Sequence, residues 1–217
     1  MSQDLGEDIF SLTSEFMIIS LLSSKVRVLV IGGGIAGFIK AKSFAGRGCK
    51  VTVLSLDFIE EFRYLAKEFE LNLVQAPYTS DYIDSYHIVI IALGDEEFIE
   101  EIREDCYSKG KLFLDCSDYK SGNMVIPSQG TTKNICYSIN TRASSPITSK
   151  FFIDRLNLYL SDYDDLVEYI SSLRKDLKGK EKLKEVMRFT SSEDFNFFFK
   201  KGYGDMIIKL FYGDIEV

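Results

Sequence analysis

The 217-residue chain has no tryptophan, one histidine and three prolines, and its four cysteines stand far apart. With His87 alone and no CxxC pair among Cys49, Cys106, Cys116 and Cys136, neither a disulfide framework nor a metal site is expected. The thiols read as reduced, in a reducing compartment. So few prolines leave no Pro-rich linker, and no internal repeat is present. Basic excess is lacking too. Lys and Arg number 26 against 33 Asp and Glu, for a net charge of −7. Such a chain has no general pull on nucleic acid or on an anionic membrane, so any anionic ligand must be met by local cations or backbone N–H groups. Long apolar runs are also missing: residues 16–22 are far too few to cross a bilayer. The acids Asp4, Glu7, Asp8 and Glu15 precede the first cation, Lys25, unlike a secretory signal. A cytoplasmic protein without nucleic-acid or membrane partners is expected.

Hydrophobic residues make up 46% of the chain and charged ones 27%, which suits a packed core. Residues 26–31 (VRVLVI) are a β-branched apolar run, the mark of a strand buried on both faces. Strands are also predicted at 50–54, 71–74, 87–93 and 111–115. Helices are predicted between them at 35–47, 58–69 and 96–108. This alternation predicts βαβ units, hence an α/β Rossmann-like parallel sheet. Past residue 118 the pattern changes. Residues 124–126 and 133–140 read as strands with no helix between them, an antiparallel ribbon. Helices follow at 145–160, 163–177, 180–189 and 191–211, the first with Ser145 as N-cap and Pro146 at the first helical position. The expected division is a nucleotide-binding domain over 1–116, a ribbon segment over 117–150 whose open strand edges suit dimerisation, and a helical segment over 151–217.

Gly32-Gly33-Gly34-Ile35-Ala36-Gly37 fits G-x-G-x-x-G between the first strand and the first helix. Gly32 would make the turn, Gly34 would admit a pyrophosphate, and Gly37 would let the helix approach the sheet. The N–H groups of Ile35 and Ala36 would face the phosphates. After the second strand, Leu56 and Asp57 stand near the position of a ribose-binding acid. Asp57 could accept from ribose hydroxyls or cap the helix expected at Phe58. No Arg stands there to take a 2′-phosphate, which favours NAD over NADP. His87 opens a strand and reads as a packing or surface residue rather than a ligand.

The segment IGGGIAGFIKAKSFAGRGCKVTVLS, with Lys40 on its helix, resembles the opening of the precorrin-2 dehydrogenase and sirohydrochlorin ferrochelatase family, the N-terminal module of sirohaem synthase. Ala92-Leu93-Gly94-Asp95 stands where that family has A-A-T-D. Leu114–Asp118 stands for its N-x-x-D segment, Ile126-Pro127 for its F-x-x-P, and YSINTRASSP for its a-I-S-T-x-G-x-S-P. The chain departs from the pattern at Gly94, Glu100, Asp115 and Arg142.

The resemblance implies NAD-dependent oxidation of precorrin-2 to sirohydrochlorin by a homodimer, with or without ferro- or cobaltochelatase activity. It implies that Ala92, Leu93 and Gly94 join Gly32, Gly33, Gly34, Ile35, Ala36, Leu56 and Asp57 around the cofactor. Asp118 would be the catalytic carboxylate accepting a proton, although an aspartate in SDYKSG also reads as a turn residue. Lys133, Thr141, Arg142, Ser144, Ser145 and Lys150 would meet the carboxylates of the tetrapyrrole, or else be solvated surface. The basic stretch 174–184 reads as a solvated helix–turn–helix, and Phe195, Phe197, Phe198 and Phe199 as core or dimer contact. A nucleotide-binding sensor without chemistry is the rival from another class.

Overall fold

The computed structural model describes residues 16–141 and 145–213, in two compact units that divide after Ile126. In the first unit, β1 (Arg27–Ile31), β2 (Lys50–Ser55), β3 (Asn72–Gln75), β4 (Ile88–Ile91) and β5 (Leu112–Asp115) form one parallel sheet in the order β3-β2-β1-β4-β5. Val28 pairs with Val51 on one side and Ile88 on the other, so β1 is central. The chain winds outward from β1 to β3, then returns to place β4 against the free side of β1. That reversal opens a crevice at the carboxyl ends of β1 and β4, where open α/β sheets take their ligands.

Period-two alternation explains why the strands read as continuous apolar runs. Val28, Val30, Val53 and Ile90 face α1 (Ile35–Ala45) and α2 (Glu61–Phe69), burying Ala41, Phe62 and Leu65. Leu29, Ile31, Val89 and Ile91 face α3 (Glu96–Ser108) and the 3-10 turn at Ser80–Ser85, burying Ile83, Ile99 and Ile102. A fully buried Phe62 alone contributes roughly 1.5–3 kcal/mol. Helix α3 begins where Asp95 accepts from the N–H of Phe98 at 3.3 Å.

In the second unit, β6 (Ser128–Thr131) and β7 (Cys136–Ile139) form the antiparallel ribbon. The strand expected at 124–126 is displaced to β6. Met124 and Ile126 instead pack, outside any strand, on the core of the first unit, with Met124 N donating to Phe113 O of β5 at 3.2 Å. Helices α4 (Pro146–Ser161), α5 (Asp164–Asp176) and α6 (Leu183–Thr190) follow. The single helix expected over 191–211 is two, α7 (Glu193–Lys200) and α8 (Gly204–Tyr212). They part at Gly202, whose φ of +80° is left-handed, while the N–H groups of Gly202 and Tyr203 close on Phe199 and Phe198. Phe195 is buried with Leu173, Val186 and Ile208, and Phe198 and Phe199 pack on that core. Phe197 is exposed. Asp164 pins the ribbon to α5: its carboxylate accepts from Thr132 Oγ1 at 2.6 Å, Asn134 N at 2.8 Å and Lys133 N at 3.0 Å.

Candidate functional site

The loops after β1, β2 and β4 enclose a cleft of about 510 Å³. Its walls are Gly32, Gly33 and Gly34 from the first, Ser55 through Ile59 from the second, and Ala92, Leu93 and Gly94 from the third. Their close approach depends on bare backbone. A Cβ on Gly32 would lie 2.2 Å from the carbonyl oxygen of Ala92, and one on Gly33 would lie 2.1 Å from that of Asp57. Gly32 also has φ +124°, which favours glycine. A Cβ on Gly37 would lie 2.0 Å from Gly32 O, so glycine there lets α1 sit against the turn.

Gly34 is different, because a Cβ there would meet nothing within 4 Å. It is the N-cap of α1, carries no capping side chain, and is followed by no acid in the first turn. The first N–H groups of a helix have no acceptor within it and hold partial positive charge. Ile35 and Ala36 are exposed at that end. An open face lined by unpaired N–H groups fits a pyrophosphate. Asp57 lies on the same cleft, and no Lys or Arg is among its lining residues.

Asp57 does not cap the next helix, which starts three residues later than expected, at Glu61 behind Glu60. The intervening residues fold back on the glycine turn, where Ile59 N donates to Gly33 O at 3.0 Å. Gln75 Nε2 holds Leu56 O at 2.8 Å. His87 lies at the other end of the strands, with Nδ1 accepting from Arg27 N at 3.0 Å.

Past β5 the loop is organised by Asp115, whose side chain is fully buried. One carboxylate oxygen accepts from Ser117 Oγ at 2.6 Å, Ser117 N at 2.7 Å and Asp118 N at 3.3 Å. The other accepts from both Nε and Nη2 of the buried Arg103, the Nε contact being 2.8 Å. Arg103 Nη1 in turn reaches Glu100 at 2.6 Å and Glu96 at 3.0 Å. Burial pushes the Asp115 carboxyl up, but the Ser117, Arg103 and Asp118 hydrogen bonds outweigh it and hold the group below the usual carboxylate range. Glu100 and Asp115, two departures from the family pattern, therefore share one partner.

Asp118 is exposed. Its carboxylate accepts from Ser121 Oγ at 2.8 Å and Lys120 N at 3.1 Å, the hydrogen bonds of a turn. They lower its pKa. In the second unit, Thr141 Oγ1 accepts from Ser145 N at 3.2 Å, and Ser145 caps α4 through Thr148 N. Lys133 Nζ is paired with Glu168 at 2.6 Å, and Lys150 is exposed on α4, just past its first turn. Arg142 and Ser144 lie outside the described residues.

The thiols are free, and burial pushes Cys106 up to about 12, which removes it as a nucleophile. Among the described residues no cluster of His, Cys, Asp and Glu could hold a metal ion, and no helix is long and apolar enough to cross a membrane.

Sequence reasoning did not single out Ser55, Phe58 and Ile59, which a slightly longer β2 and a later α2 would have placed in the cleft. It also passed over Arg103. The only signal was local: Glu96, Glu100 and Arg103 share one helix face.

Residues 19–128 match the NAD_binding_7 family model, described as “Putative NAD(P)-binding”. Curated relatives include the sirohaem synthases of Salmonella schwarzengrund and Salmonella paratyphi A, 26% and 25% identical over 152 residues. Those alignments cover 69% of this chain, which spans about a third of the length of these relatives. Among solved structures, SirC, a precorrin-2 dehydrogenase, superposes with a TM-score of 0.66 at 18% identity, over 90% of this chain and all of that one. The fold is thus that of a parallel dinucleotide-type sheet followed by a ribbon and helices. With half its length matched, and with the glycine turn, the switch-point cleft and the open helix N-terminus inside the matched region, the chain belongs to the NAD_binding_7 family.

Proposed function

We propose that the chain is an NAD-dependent precorrin-2 dehydrogenase that forms sirohydrochlorin on the route to sirohaem or cobalamin. The observation that carries this reading is the cleft walled by Gly32, Gly33 and Gly34 at the start of α1, in a chain that aligns with sirohaem synthases over 69% of its length. Asp57 and the lack of a lining cation favour NAD over NADP, because a 2′-phosphate would meet a carboxylate and no partner.

Bound NAD supplies a hydride acceptor. The protein's own tasks are to hold the cofactor, which the cleft at Gly32–Gly34 would do, and to receive the proton lost with the hydride as the new double bond forms. Asp118 is the residue proposed to receive it. Being held ionised by Ser121 and Lys120, it is available as an acceptor throughout the neutral range. Thr141, Ser145 and Lys150 of the second unit are proposed contacts to the carboxylates of the substrate, joined by Arg142 and Ser144. Lys133 is the weakest of this set, since Glu168 already neutralises it. Action as a homodimer in the cytoplasm completes the reading.

One observation favours the sensor alternative: both Asp118 oxygens are engaged in its turn, and a lowered pKa makes a weaker base. Incubation with precorrin-2 and NAD, followed by the absorbance of NADH and sirohydrochlorin, decides between them. Asp118→Asn should keep NAD affinity and melting temperature while kcat falls by about 10²–10⁴-fold. A parent that binds NAD and never reduces it on precorrin-2 refutes the enzyme reading, and an unchanged kcat in the variant removes Asp118 from the mechanism.

A further inference from the structure

We infer that Arg103 and Asp115 are positioning residues for Asp118, a buried pair that fixes the turn from which the carboxylate acts. The inference rests on the proposed role of Asp118, but its geometry stands without it. Asp118 has no support from regular structure, since it lies three residues past the end of β5 in an exposed loop. What orders that loop is the Asp115 side chain, which gathers the Ser117 N–H, the Ser117 hydroxyl and the Asp118 N–H onto one oxygen. Its other oxygen is anchored by two donors of a single guanidinium. Arg103 projects from the third turn of α3, a helix packed on the sheet through Ile99, Ile102 and Cys106. The loop is thereby tied to the rigid body of the domain rather than to its own backbone alone.

The pair is also asymmetric. Arg103 has three carboxylate partners, whereas Asp115 has Arg103 as its only cation among the described residues. Removing Asp115 therefore leaves the guanidinium neutralised by Glu96 and Glu100, so Asp115→Ala should fold while the loop loses its organiser. A misplacement of about 1 Å in a reacting group can cost on the order of 10²-fold in rate.

The test uses the full chain with two readouts. Hydrogen exchange at the Ser117 and Asp118 amides is measured without substrate. Expected in Asp115→Ala is exchange roughly tenfold or more faster at both, the scale of a lost hydrogen bond to a charged group, with the β1 and β4 amides unchanged. In turnover, kcat should fall about 10²-fold while KM for NAD stays at the parent value. Arg103→Lys, which keeps the charge but not the planar fork, should give intermediate values in both. If Asp115→Ala does not fold, the double variant R103M/D115A, which carries no charge at either position and no acceptor at 115, supplies the exchange comparison. Unchanged amide exchange overturns the positioning role, as does unchanged kcat in an active parent. A parent inactive on precorrin-2 sinks the proposed function instead, and the exchange readout still decides whether the pair holds the loop.

Discussion

Replacing Gly34 by Asp separates binding from folding at one position. Gly34 has φ −87° and ψ −170°, an extended conformation open to any residue, and a Cβ there meets nothing within 4 Å. The stability cost should therefore stay within about 0.5 kcal/mol, as for other surface substitutions. The new carboxylate would stand where the phosphates are expected. Like unit charges about 4 Å apart at an effective dielectric near 20 repel by about 4 kcal/mol, so NAD should bind about 10³-fold more weakly. Fluorescence titration with NADH measures this, and a parallel thermal melt guards against unfolding. Gly32→Ala is the converse case. Its φ of +124° and the 2.2 Å approach to Ala92 O force strain into the turn. A cost of about 1–3 kcal/mol corresponds to a melting temperature lower by roughly 2–12 °C. Full NADH affinity in Gly34→Asp would refute the placement of the pyrophosphate. Loss of affinity that merely tracks unfolding would refute the claim that Gly34 faces open space.

Arg103→Met should be strongly destabilising, by about 3–5 kcal/mol in denaturant titrations, because it strands a buried carboxylate; a D115N background should recover part of that loss, and no recovery would mean the two residues are not coupled. Acid should unfold the protein through carboxyls such as Asp115, whose folded pKa is lowered. The stability from such a group is complete above the unfolded value of about 4 and is lost as pH falls through the folded one. Melting temperatures should then be level from about pH 5 to 7 and fall below that range, less steeply in Asp115→Asn, and identical slopes would clear Asp115. Ile147, Phe151 and Leu158 project exposed from one face of α4, which suits a dimer contact; sedimentation equilibrium showing only a 24.7 kDa species at micromolar concentration would remove it.

The sheet was legible because strands such as 26–31 are buried on both faces and cannot be mistaken for amphipathic helices. The cofactor cleft was legible for a related reason. A turn that tolerates no Cβ at Gly32 or Gly33 writes its geometry directly into residue type. The break between α7 and α8 was not, since the apolar positions at Phe195–Phe199 and Met206–Leu210 on either side of Gly202 read together as one continuing helical face. The β6 register was missed because Ser128–Thr131 (SQGT) has polar side chains and no strand-like alternation, and its pairing to Cys136–Ile139 supplies what its composition does not. Arg103 was hidden for another reason: a helix-face arginine looks solvated until the carboxylate twelve residues on is folded beneath it.

The central place of β1 has a consequence for synthesis. Its partner on one side, β2, follows within about a helix and a turn, but Val28 meets Ile88 only after a further stretch of chain has been made. At roughly 5–20 residues per second, the interval between translating these two positions is about 3–12 s. Throughout that interval Val28, Leu29, Val30 and Ile31, all buried in the finished sheet, lie along an uncovered strand edge. The nascent domain therefore passes through a sticky half-sheet on every ribosome. Chains arrested before β4 should be cut readily by protease and held by chaperones, and chains arrested once β5 has emerged should resist both.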